Sequence, residues 1–440
     1  MEVTMKKIRL FTAILVAVCF LSSACASGSS GKSGSGQSGF GGEQRGNPHK
    51  RPDGDMGFPG ENSSSGTTVV VEGADSMTYT YKTAKGITKT YYAKYLVDGT
   101  TLDLTGETIE ATSSNEIAVL VVNGGTANLT NCTIIKGGDG AGASRDDDYN
   151  FYGINNAVVV LGEDSTATLS GCTVNTTGKY ANAVFASDGG TVEIKDGINI
   201  STTSSSARGL FASYGGTVIA ADGDVHISTQ SIHCAALATD RGGGTVIVGT
   251  SENAKPSTLS TVAEDSPCIY STGTIKGYNI TGTCTNGQTI VVEGKNEVEL
   301  TNCNLTGGRT EQGCVMLYQS SSGDAADEDA SATKSSLTIT NCTFTATNGA
   351  DMFVVTHTTA AVTINGCTFN GLSDGQNLIS CKKIRWGTGA YLTVTAPDET
   401  LSGTVYTGDS TSKTTVTCGT SKLTKASGSA GTITVNGTKL

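Results

Sequence analysis

One short phrase recurs along the chain, and an internal repeat constrains a fold more tightly than any single motif. It reads GGTANLTNCTI at residues 124–134. It returns as STATLSGCTV (165–174), GTVEIKDGINI (190–200), NEVELTNCNL (296–305), SSLTITNCTF (335–344) and AAVTINGCTF (360–369). Each copy is a turn, an apolar–polar–apolar strand, a polar pair, a small residue and a second short strand. Anchoring each copy one residue before its first apolar position gives Thr101, Thr126, Thr166, Thr191, Thr217, Thr245, Thr274, Glu297, Ser336, Ala361, Tyr391 and Thr415. Nine of the eleven intervals lie between 23 and 30 residues, and the two longer ones, 40 and 39, each carry an insertion.

Positions +1 and +3 from the anchor are apolar nearly throughout, as in Leu102/Leu104, Val192/Ile194 and Leu337/Ile339. The exceptions are small residues such as Ala127, Ala167, Ala220 and Gly277. Period-2 alternation over so short a run predicts a strand with one buried face. A further apolar run precedes most anchors by eight to ten residues, for example 117–120, 157–160 and 183–186. Each unit of roughly 25 residues therefore holds about three strands. One such coil cannot bury its inner face alone, whereas stacked coils build a continuous core. The expectation is an all-β, right-handed parallel β-helix of about twelve coils over residues 67–440. Independent sandwiches would also show many short strands, but not one phrase at a fixed phase.

The cysteines follow the same phase. Cys132, Cys172, Cys303, Cys342 and Cys367 all fall at anchor +6. Equivalent residues of stacked coils lie about 4.8 Å apart, so these five predict a buried ladder of small side chains. Asn or Gly precedes each, which suits a bend with positive φ. Thirteen cysteines in an exported chain also invite a disulfide framework, but the repeat phase favours buried thiols.

Residues 1–25 have the form of an export signal. Lys6, Lys7 and Arg9 precede an apolar run, LFTAILVAVCFL, that ends in small residues. The stretch Leu21-Ser-Ser-Ala-Cys25 resembles a bacterial lipoprotein box, which would make Cys25 the lipidated mature N-terminus. Ser22 stands where that box prefers a large aliphatic residue, so simple secretion stays open. Residues 26–66 are rich in Gly and Ser and have too little apolar side chain to bury; a flexible tether is expected. The chain as a whole is acidic, with a net charge of −11 and only 16% charged residues. That disfavours nucleic acid and anionic membrane surfaces, which need clustered Lys and Arg. Membrane contact is expected only through the N-terminal lipid.

From about Thr100 to Leu440 the chain resembles the right-handed parallel β-helix (pectate-lyase-like) proteins, particularly the adhesin-like or carbohydrate-binding surface lipoproteins of gut bacteria. The stretches ALATDRGGGT (236–245), VEGKN (292–296) and VMLYQS (315–320) carry the likeness. The resemblance implies a cell-surface protein whose partner is a polysaccharide or host glycan. It does not fix an activity, because the fold hosts lyases, glycosidases and binders alike.

The catalytic phrases of the enzymes in that group are missing. Lys383 and Arg385 stand in the reverse order of an Arg-x-Lys pair. Of the four His residues, His226, His233 and His357 have no evident Asp or Ser partner in sequence. Two insertions are acidic. One, 137–152, contains Asp146 and Asp148; the other, 320–334, contains Asp324 and Asp327. Such density could coordinate Ca2+, though solvated acidic loops look the same; no other cofactor is implied. A column of turn residues just before the anchors holds Asp188, Tyr214, Asp240, Arg241 and Tyr270, extended by Tyr318. Stacked coils would turn it into an exposed ridge of acids, an Arg and aromatic rings, able to stack on and hydrogen-bond to sugars. Three functions stay open. The first is a non-catalytic glycan-binding adhesin. The second is a polysaccharide lyase or glycoside hydrolase for acidic polysaccharide, with Asp188, Arg208, Asp240 and Arg241 as its candidates. The third is a passive spacer.

Overall fold

A computed structural model describes residues 69–70, 76–141, 147–320, 334–384 and 390–440. The chain is a parallel β-helix whose strands form three stacks. The anchor stack runs through Thr101–Thr105, Thr126–Thr130, the first half of Thr166–Thr176 and onward to Thr432–Val435. Its register is that of the repeat. Thr101 pairs with Thr126, Thr126 with Thr166, Thr166 with Thr191, and so on through Glu297, Ser336 and Ala361. One anchor is misplaced by two residues. Ala361 pairs with Thr393, and Tyr391 pairs with Thr359. Both Tyr391 and Thr393 precede an apolar residue, so alternation alone could not choose between them.

The second stack holds Thr108–Ala111, Thr133–Lys136, Val225–Thr229, Ile280–Cys284 and their equivalents. Between the first two stacks the chain turns at the residue just before the cysteine of the phrase. Asn131, Gly171, Asn302, Asn341 and Gly366 have φ of 52°, 62°, 54°, 51° and 64°, as expected for the residue before each ladder cysteine. Cys132, Cys172, Cys303 and Cys342 are buried, and Cys367 is partly exposed. The backbone N–H of Cys303 donates to Sγ of Cys342, and that of Cys342 to Sγ of Cys367, each at 3.4 Å. All eleven cysteines among the described residues are free thiols.

The third stack runs through Glu116–Val122, Val158–Leu161, Val184–Ser187, Leu210–Ser213, Leu237–Asp240, Ile269–Ser271, Ile290–Glu293, Val315–Tyr318 and Phe353–Thr356. Unlike the other two, it is buried on both faces. Val119, Val158, Val184, Leu210 and Leu237 face the core shared by all three stacks. Leu120, Val159, Phe185, Phe211 and Met316 face outward into a second apolar cluster. Part of the cover is an antiparallel hairpin of Met77–Lys82 with Thr88–Asp98, which brings Tyr81 and Tyr91 into that cluster. The segment 147–154 supplies more of it: after a short helix at Asp147–Asn150, Ile154 packs against the cluster.

Candidate functional site

The column expected to be an exposed ridge is instead a covered seam. Tyr318, Glu293, Tyr270 and Asp240 are only 0%, 4%, 8% and 9% exposed. The outward face of their stack is occupied, so these side chains are packed rather than presented. The Glu293 carboxylate accepts hydrogen bonds from the hydroxyls of Tyr270 and Tyr318. Burial, reinforced by Glu293, pushes both phenols well above their ordinary pKa.

Asp240 is the centre of a charged group. Arg208 Nη2 lies 3.7 Å from its Oδ2, and Arg208 Nη1 donates to Asn150 Oδ1 at 2.9 Å. Burial raises the Asp240 carboxyl to about 7; Glu293 pushes it further up, while Arg208 and Arg241 oppose the shift. The guanidinium groups stand over aromatic rings, Arg208 over Phe211 at 4.8 Å and Arg241 over Phe151 at 4.6 Å.

Toward solvent the seam opens at Asp188, Tyr214 and Arg241, which are half-buried. Asp188 and Tyr214 sit at the turn before an anchor, with φ of 53° and 44°. Asp tolerates the left-handed region; an aromatic residue there is strained. The Tyr214 ring is nonetheless held firmly. It stacks on Tyr152 with centroids 5.5 Å apart, and Lys85 Nζ lies 5.4 Å from its centroid. A Cβ on Gly242, one coil along, would come within 2.4 Å of the ring, so glycine there makes the room. Asp188 Oδ2 accepts from Tyr81 Oη at 2.7 Å and from the Ala84 N–H at 2.9 Å.

The acidic-loop reading fares differently in its parts. Asp148, weighed as a calcium ligand, forms an ion pair with Lys89. Asp146, Asp324, Asp327 and the lipidation candidate Cys25 lie outside the described residues. Among the described residues no three acidic, His or Cys side chains gather as a metal site.

Two surface features escaped the sequence reading. His226 does have partners: Nδ1 lies 2.8 Å from Thr258 Oγ1, and Nε2 lies 3.2 Å from Asp224 Oδ1. The Asp-x-His spacing on a strand, where i and i+2 share a face, was the available clue. The second stack also carries paired hydroxyl and amide ranks, as in Thr281/Thr283 and Thr343/Thr345. Counting anchors alone gave a single file of threonines. No protein-family model matches the chain, and no curated protein shows significant similarity to it.

Proposed function

We propose that this chain is a cell-surface anchored, non-catalytic adhesin-like protein that binds glycans at the open end of the seam. The observation that supports it is Tyr214. An aromatic ring occupies a left-handed turn position that neighbouring coils fill with Asn123, Asp188 or Gly242. Strain of that kind costs of order 1–3 kcal/mol and clusters where a side chain serves a ligand. Lys85 and Arg241 stand beside the ring, and Asp188 holds the same turn one coil earlier; together they offer donors and acceptors to sugar hydroxyls beside a stacking face. The export signal and lipidation at Cys25 remain part of this reading.

The test is a glycan array with and without Ca2+, comparing the wild type with Tyr214→Ala. Retention should drop at least tenfold in the variant, with an unchanged melting midpoint. Equal retention by both on every glycan that the wild type binds would overturn the reading. Tyr270 is unsuitable for this test, because its ring is part of the packed interior.

A second reading, a β-helix lyase or glycoside hydrolase acting on acidic polysaccharide, is favoured by the Asp240 carboxyl at about 7 beside Arg208 and Glu293. Unsaturated or new reducing ends released from pectin, alginate or glycosaminoglycan, and abolished in Asp240→Asn, would select it. No retention and no products would leave the spacer reading.

A further inference from the structure

A cleft of about 520 Å3 lies in the C-terminal coils, away from the seam residues discussed above. Its size falls in the range of about 300–1,000 Å3 common to small-molecule sites. Asp351, Asn377, Ser380, Lys382, Tyr406 and Glu311 are among the residues that line it.

The strand Ile379–Cys381 explains how the lining is built. Ile379 and Cys381 face the core, so Ser380 between them faces outward. Ser380 pairs in parallel register with Tyr406, which sets the tyrosine one strand away on the same face. Lys382 follows two residues after Ser380. Its Nζ lies 3.2 Å from Asp351 Oδ2, while Asp351 Oδ1 accepts from Asn377 N at 2.8 Å and from Asn377 Nδ2 at 3.2 Å. Thr404 Oγ1 donates to Asn377 Oδ1 at 2.8 Å. The polar wall is thus fixed before any ligand arrives, which lowers the ordering cost of binding.

One group in the wall is left over. Ser380 is fully buried, and its Oγ has no hydrogen-bond partner among the described residues. Buried hydroxyls are nearly always paired, and an orphan of this kind calls for an explanation.

The chemistry of the lining selects a ligand class. Lys382 and Asp351 answer each other, so neither a phosphate-like anion nor a simple cation is matched. Donors and acceptors alternate beside a half-buried phenol ring. That combination suits an uncharged polyhydroxylated ring.

We propose that this cleft binds one uncharged sugar unit of a polysaccharide, stacked on Tyr406 and hydrogen-bonded to Ser380, Asp351 and Lys382. This rests on the glycan-binding reading, but uses residues separate from Tyr214. The test is calorimetric titration of the full chain with cellotetraose, xylotetraose, mannotetraose and chitotetraose. At least one should bind the wild type. Tyr406→Ala should weaken that binding by about tenfold or more, as expected for loss of a stacking face. Ser380→Ala, which removes a single oxygen, should weaken it about three- to tenfold. Tyr214→Ala should leave it unchanged. Binding to none of the four, or binding that survives both Tyr406→Ala and Ser380→Ala, overturns the proposal. Loss in Tyr214→Ala alone would overturn the cleft while keeping the broader glycan reading.

Discussion

The anchor stack and the third stack share one period and one kind of parallel ladder, yet they are built for different neighbours. Thr126–Thr130 alternates between half-buried and buried positions, with Ala127 and Leu129 inward. Val158–Leu161, in the following coil, is buried at all four positions. The first strand meets solvent on its outer side. The second meets the hairpin and the 147–154 insertion. A strand buried on both faces loses the alternation that marks a half-exposed one, and Val158-Val-Val-Leu161 shows this in its composition. The difference shows that a turn column on a solenoid is exposed only where nothing folds back upon it.

The comparison can be broken most directly by truncating a large residue on each side. Leu129→Ala in the common core should cost about 2–5 kcal/mol, and Phe185→Ala on the covered face about 3–5 kcal/mol. Phe185 packs on Phe211 with centroids 5.0 Å apart. A cost below about 1 kcal/mol for Phe185→Ala in denaturant unfolding would mean that its face is not covered.

Asp240 offers a sharper probe of the cover. Folded, its carboxyl holds its proton to about pH 7; unfolded, it releases it near pH 3.9. Between those values the folded chain binds more protons, so stability falls as pH rises through the window. Asp240→Asn should therefore match the wild type near pH 4 and exceed it at pH 8, by of order 1–3 kcal/mol. Melting midpoints at the two pH values check this; a difference that does not grow with pH would place Asp240 in water.

The smallest change addresses the open end. Gly242→Ala puts a Cβ against the Tyr214 ring at a backbone φ of 78°. It should cost about 1–2 kcal/mol and disturb the Tyr152–Tyr214 stack, seen as a change in near-ultraviolet circular dichroism. An unchanged spectrum would detach the stack from this turn.

The fold was legible because its two rules are local. Alternation set the inward residues, and the positive-φ Asn or Gly before each cysteine set the corner. The register then followed from Thr101 to Ala361, and it failed only where Tyr391 and Thr393 offered equivalent patterns. The site was less legible. Tyr214 and Asp188 do stand half-open to solvent, but Tyr270 and Tyr318 are packed inside. Their burial depends on segments far away in sequence, and no repeat period encodes what docks on its outer face. Ser380 escaped notice because a serine in a Thr- and Ser-rich chain is unremarkable until its missing partner is seen.

The in-step pairing of the anchors also bears on how such a gene can change length. Removing or copying the codons of one whole coil, such as the 25 residues from Thr166 to Gly190, still presents each ladder with a matching partner from the next coil. Removing an odd number within a strand instead turns every later side chain of that strand to the opposite face. Heritable variation in this rod is therefore expected in steps of a full coil, with the turns free to diversify between them.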